Sequence, residues 1–159
     1  MKLPSFLLNR KFYRISVGVW VFFIFLVSSI PYLPNPKIQA KDLFELRLDY
    51  VFHFGVYFIL GFLVIPARIT PQLKFSPTQL FLILILGSAF GSIDEIHQII
   101  IPGRRYNPVD LFYNVIGFVT GVFFTYFYFV RFLMLKKNRF SEFRENLRRK
   151  AGGRIISKK

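Results

Sequence analysis

The sequence predicts an all-α fold, an integral membrane four-helix bundle with a basic C-terminal tail, and three observations carry that expectation. Hydrophobic residues make up 53% of the 159 positions, and 22 of them are Phe. A soluble domain of this size has no use for so much greasy surface, so part of it must face something other than water. The apolar residues also fall into four runs of roughly 18 to 26 residues, about the length a helix needs to cross a hydrocarbon core of ~30 Å. Finally, the charge is segregated: of 22 Lys and Arg, eleven lie at or beyond Arg131, after the last apolar run.

The first run extends from about Tyr13 to Leu33. Arg10, Lys11 and Arg14 before it could serve as the charged region of a cleavable leader. The run is long for that role, however, and SSIPYLPNP offers no clear small-x-small cleavage site, so it is expected to stay as an anchor. Pro31, Pro34 and Pro36 would end this helix, and Trp20, Phe22, Phe23 and Phe25 would face lipid or the bundle. A second run, about Leu48 to Ile65, carries Asp49 and His53 and is expected to stop at Pro66.

The third opens at Ser76-Pro77, an N-cap followed by proline at the first helical position, and continues to about Ile101. Asn107-Pro108 gives the fourth the same start, and its apolar character lasts to about Met134. Residues 1–134 thus form the membrane domain and 135–159 a basic tail. In the tail, Phe140, Phe143 and Leu147 recur at helical spacing among many cations. It could lie against anionic inner-leaflet lipids, although a plain solvated tail is the simpler expectation.

Lys and Arg counts give the orientation. With both termini on one side, that side holds 17 basic residues and the other five, namely Lys37, Lys41, Arg47, Arg104 and Arg105. Basic loops stay cytoplasmic, so the expected protein is a multi-pass cell-membrane protein with both termini inside.

This topology brings the scattered polar residues to one level, just under the outer surface. Asp49, His53 and Tyr57 form an i, i+4, i+8 stripe at the start of the second helix. Asp94, His97, Gln98 and Ile101 share a face at the end of the third, with Glu95 at its flank. Asp94 stands about 25 Å along the helix from Pro77. Asp110 opens the fourth helix, where its carboxylate meets the positive helix end, and Asn114, Gly117 and Gly121 follow on one side. Gly117 and Gly121 form a small-xxx-small pair that allows close approach of a neighbour. Carboxylates in a low-dielectric zone need partners, and Arg104 and Arg105, in the loop between helices three and four, are expected to supply them.

From Asp49 to Gly121 the chain resembles the VanZ-like family of small membrane proteins. The resemblance rests on Asp49-x-x-x-His53-x-x-x-Tyr57, Asp94-Glu95-x-x-Gln98, Pro102-Gly103-Arg104, and Asp110-x-x-x-Asn114-x-x-Gly117-x-x-x-Gly121. Tyr50 departs from it, standing where a basic residue is expected. The resemblance implies a four-helix membrane protein tied to the cell envelope, the family's namesake being associated with low-level resistance to the glycopeptide teicoplanin.

The ligand-binding candidates are therefore Asp49, His53, Tyr57, Asp94, Glu95, Gln98, Arg104, Asp110 and Asn114, for a membrane lipid or a lipid-linked or glycopeptide-like envelope component. The competing expectation is a membrane enzyme with Asp94 and Glu95 as acid and base beside His53. No nucleophile accompanies them, since Ser88 and Ser92 sit in no recognisable nucleophile turn. Asp94-x-x-His97 has metal-ligand spacing but lacks the second motif that di-metal bundles use, so neither a metal nor another cofactor is expected. With no cysteine, thiol chemistry and disulfides are excluded. The DEIH stretch has no phosphate-binding Gly-rich loop to make it a nucleotide-driven helicase. The aromatics do not interleave with the basic tail as a stacking platform for single strands requires, and nucleic acid is not an expected partner.

Overall fold

The computed structural model describes residues 9–32, 48–68, 76–131, 135, 139 and 141–143. Among them the chain is entirely helical, and four helices are long and apolar enough to cross a membrane. They are α1 (Arg10–Ser28), α2 (Leu48–Arg68), α3 (Pro77–Gln98) and α4 (Pro108–Thr125), the last running directly into a π-helical turn, Tyr126–Val130. Most of the tail lies outside the described residues, Phe140 and Leu147 included; within it Phe143 is helical and exposed.

Both expected N-caps form. Ser76 Oγ accepts from the Gln79 amide while the Gln79 side chain accepts from the Ser76 amide, a reciprocal capping box ahead of Pro77. Asn107 Oδ1 accepts from Val109 N at 3.0 Å ahead of Pro108. The end of α3 comes earlier than expected. Beyond Gln98, Ile99, Ile100 and Ile101 bond back three residues rather than four, because Pro102 disfavours the α conformation just before it. Gly103, at φ +79°, turns the chain.

Pro66 does not stop α2; the helix continues to Arg68 with the proline inside it. A proline there removes the N–H that would bond the carbonyl four residues back, which is Phe62. The hydroxyl of Thr125 on α4, fully buried, reaches that carbonyl at 3.3 Å. It shares its hydrogen with the Gly121 carbonyl at 2.9 Å. A polar side chain on one helix thus serves an acceptor exposed by proline on another, as a helix able to cross hydrocarbon requires.

The most extensive interface joins α2 and α4, which are not neighbours in sequence and run parallel. Glycine makes it. A β-carbon at Gly61 would collide with the Phe118 carbonyl, one at Gly117 with the Phe54 carbonyl, and one at Gly121 with the Phe58 carbonyl. The expected small-xxx-small pair on α4 is therefore met by a third glycine on α2, and the two backbones touch. Phe118 fills the gap left by Gly87 on α3, and the Tyr57 ring packs over Gly91. On the other flank α1 packs on α2, where Trp20 Nε1 donates to the Val56 carbonyl at 2.9 Å. Trp20 is thus bundle-facing and Phe22 points outward, while Phe23 and Phe25 are only partly exposed.

The outer faces are apolar throughout. Val19, Phe22, Leu86, Ile93, Ile100 and Phe112 are each more than half exposed. Buried apolar residues instead form one narrow core from Ile24 through Tyr57, Leu60 and Ile65 to Phe118 and Val122. Between helices in lipid, burial of apolar area supplies no net drive, and close packing with interhelical hydrogen bonds must do it.

Replacing Gly121 by Val should therefore lower stability by about 2 kcal/mol or more, as overpacking does. Gly18, with open space around it, should accept Ala with a change within about 0.5 kcal/mol. Thr125→Val should cost about 0.6–1.7 kcal/mol, the range of interhelical hydrogen bonds in membranes. Thermal unfolding of the detergent-purified protein measures all three.

Candidate functional site

The parallel pairing of α2 and α4 decides where the polar residues meet. Both helices begin at the same end of the bundle, where α1 and α3 finish. Asp49 and Asp110 therefore open two adjacent helices, with His53 and Asn114 one turn further in.

His53 sits between them, buried. Its Nδ1 lies 2.9 Å from Asn114 Oδ1. Nε2 faces two carboxylates, Asp49 Oδ1 at 3.5 Å and Asp110 Oδ2 at 3.9 Å. Asn114 is wholly buried, at the level just above Gly117 in the glycine-packed seam, so the ring's inner nitrogen is held by a fixed acceptor. Tyr57, one turn deeper on α2, donates its hydroxyl to Asp94 Oδ2 at 2.9 Å, tying α2 to α3. Tyr50 stacks on Tyr113 of α4, ring centres 5.0 Å apart and planes within 8° of parallel. At this position an aromatic contact between α2 and α4 replaces the expected basic residue.

Glu95 is not at the flank of α3 but at its centre of contact, with no exposed surface. Oε1 accepts from the backbone N–H of Asn107 at 2.8 Å, and Oε2 lies 3.4 Å from Gln98 Nε2. Its carboxylate therefore closes the α3–α4 loop by holding the residue that caps α4. A charge-assisted bond to an orphan amide at a helix start is a strong one. His97 turns away from the acids, toward α1. Its ring stacks on Phe25 at 4.4 Å, and Nε2 lies 3.1 Å from Ser29 Oγ. The expected shared face of Asp94, His97 and Gln98 is divided accordingly, with Asp94 and Gln98 buried and His97 half-buried on the neighbouring helix.

Arg104 departs furthest from expectation. Arg104 makes no ion pair with Asp94, Glu95 or Asp110; its Nη2 donates to the Val27 carbonyl at the end of α1, at 3.5 Å, and its Nε is buried with no hydrogen-bond partner. The loop carrying it is fastened to α1 by Tyr32 N to the Pro102 carbonyl, 3.2 Å. The carboxylates are met instead by His53, Tyr57, Gln98 and a backbone amide.

These groups line a cavity of about 860 Å³ between α1, α2 and the α3–α4 loop. Asp49, His53, Tyr57, Asp94, Gln98, Arg104 and Asp110 reach its wall, while Glu95 and Asn114 stand behind it as supports. Of the nine residues expected at the site, seven thus face the cavity, and the other two stand behind it, Asn114 against His53 and Glu95 against Gln98. Sequence reasoning missed the opposite wall, where Phe23, Ile24, Val27 and Ser28 of α1 join Phe52 and Val56 of α2. The signal for α1 was faint: Ser28 and Ser29 are polar residues at the end of an apolar run. Asp94 Oδ1 and Asn114 Nδ2 are buried without a hydrogen-bond partner.

No protein-family model matches the chain, and neither curated proteins nor solved structures yield a match.

Truncating Glu95 to Ala should release the α3–α4 loop. The expected loss is about 1.5–3 kcal/mol, that of a charged hydrogen bond, with faster hydrogen–deuterium exchange in peptides spanning Asn107. Unchanged exchange there would show that the loop is held by other means.

Proposed function

We propose that this chain is a multi-pass membrane protein of the VanZ-like type, with both termini cytoplasmic. In this reading it binds or shields an amphiphilic component of the cell envelope, lipid-linked or glycopeptide-like. The observation that carries it is the two-sided character of the cavity. One wall is acidic, amide and hydroxyl in character with Arg104 and Arg105 at its rim, and the other is Phe23, Ile24, Val27 and Val56. A molecule with a polar, partly anionic head and an apolar chain complements both walls, and neither water nor a free lipid tail does.

Arg104 supports the anionic part of that reading. Its one hydrogen bond is long, and among the described residues no carboxylate neutralises it. A guanidinium on a cavity wall suits a phosphate or carboxylate, which it grips through two parallel N–H groups. The orientation rests on the basic residues: 17 of 22 would lie inside, with the cavity opening outside. The tail, with eleven of those cations at or beyond Arg131, would meet anionic inner-leaflet lipids by charge alone. An acid–base enzyme using Glu95 is the less favoured reading, because that carboxylate is sealed behind the wall and occupied by the Asn107 amide.

Native mass spectrometry of protein released in lipid nanodiscs tests the proposal. The expected spectrum has a one-to-one adduct with an amphiphile, and Arg104→Gln should weaken its occupancy about tenfold, the equivalent of one lost charged hydrogen bond, with an unchanged unfolding temperature. An absent adduct, or equal occupancy in both proteins, would overturn it. A reporter fused after Lys159 should read out as cytoplasmic.

A further inference from the structure

We infer that Asp49, His53 and Asp110 form a binding site for one divalent transition-metal cation in the wall of the cavity. This stands whether or not an amphiphile is the cavity's occupant.

Geometry comes first. One ligand atom from each of the three residues lies within 4.8 Å of the other two. His53 Nε2 stands 3.5 Å from Asp49 Oδ1 and 3.9 Å from Asp110 Oδ2, wider than the separation of about 2.7–3.2 Å in a strong hydrogen bond. Donors bound about 2.0–2.2 Å from a shared ion stand roughly 3.0 to 3.6 Å apart, from right-angled to trigonal placement. Both aspartates stand in the first turn of their helices, and rotation of their side chains draws the three donors together.

The histidine is also presented as a ligand is. With its Nδ1–H donated to Asn114 Oδ1 at 2.9 Å, Nε2 is the ring atom turned to the carboxylates. An outer partner that fixes tautomer and ring direction in this way is the usual companion of a metal-bound imidazole. Asn114 is wholly buried in the glycine seam, so the ring is positioned by the most tightly packed part of the molecule.

Burial and access agree with this. Two carboxylates and an imidazole stand together where the His53 and Asp110 side chains are each less than a tenth exposed. All three residues line the cavity, which gives an entry path and leaves the remaining coordination positions open toward it. Nearby on the same wall, Asp94 is 2% exposed and its Oδ1 lacks a hydrogen-bond partner, a ready acceptor for a metal-bound water. The donor set, one imidazole nitrogen and two carboxylate oxygens, belongs to the Mn²⁺–Zn²⁺ series, whereas Mg²⁺ and Ca²⁺ prefer all-oxygen sites.

The spacing-based metal motif, Asp94-x-x-His97, is not this site, because His97 is bonded to Ser29 and stacked on Phe25.

The test uses the full chain in detergent, stripped of metal and titrated with MnCl₂ or ZnCl₂. Expected are about one ion per chain by elemental analysis after dialysis, a rise in unfolding temperature with added ion, and a nitrogen hyperfine coupling in the electron spin echo of bound Mn²⁺. His53→Ala and Asp110→Asn should abolish binding, Asn114→Ala should weaken it about 10- to 100-fold, and His97→Ala should leave it unchanged. Clearly less than one ion per wild-type chain, bound Mn²⁺ without nitrogen coupling, or loss of binding in His97→Ala would overturn the inference. The wild-type measurements decide it even where a variant does not fold.

Discussion

Backbone contact between α2 and α4 is the constraint on which the rest of the structure depends. Lipid offers helices no reason to associate through apolar area alone, so two spans that touch must gain from van der Waals contact and short polar links. Gly61, Gly117 and Gly121 remove the side chains that would hold the axes apart. The same register then fixes which groups stand level. Above the seam His53 meets Asn114, and below it Thr125 meets the Phe62 carbonyl. The approach that the glycines permit thus brings each of these polar groups within reach of a partner on the other helix.

The remaining two helices attach to this pair for different reasons. Shape brings α3 to it, through Phe118 against Gly87 and Tyr57 against Gly91, together with one buried hydrogen bond, Tyr57 to Asp94. Backbone acceptors hold α1: Trp20 to Val56 in mid-span and Arg14 Nε to the Ala67 carbonyl at 3.4 Å near its start. At its far end α1 meets the α3–α4 loop through Tyr32 and Pro102. The cavity is what remains between a charged pair of helices and a helix that brings almost no charge to its wall.

Much of this was legible in the sequence. Apolar length gave four helices, and the Ser-Pro and Asn-Pro pairs gave two of their starts, because both signals are local. The stripe Asp49, His53, Tyr57 needed only helical periodicity. What a linear reading could not supply was which helices pair. The parallel contact of α2 with α4 skips a helix, and its third glycine, Gly61, is one among ten in the chain. Without that pairing, arginines adjacent to the acids in sequence seemed their natural partners; in space Arg104 is drawn toward the end of α1. Glu95 was misplaced for a similar reason. Periodicity put it beside Asp94's face, but the loop folds back so that its Asn107 amide needs a carboxylate there. Pro66 looked like a terminus because proline usually is one, and the hydroxyl that rescues the helix lies on a different span.

That rescue has a mechanical consequence. An α-helix ordinarily keeps its own ladder intact and can fray turn by turn without consulting its neighbours. Here the final turn of α2 relies on a donor from a span whose sequence position is 63 residues away. Neither strut can loosen there without leaving a buried oxygen unpaired, so the two must melt together as one cooperative block rather than as independent rods.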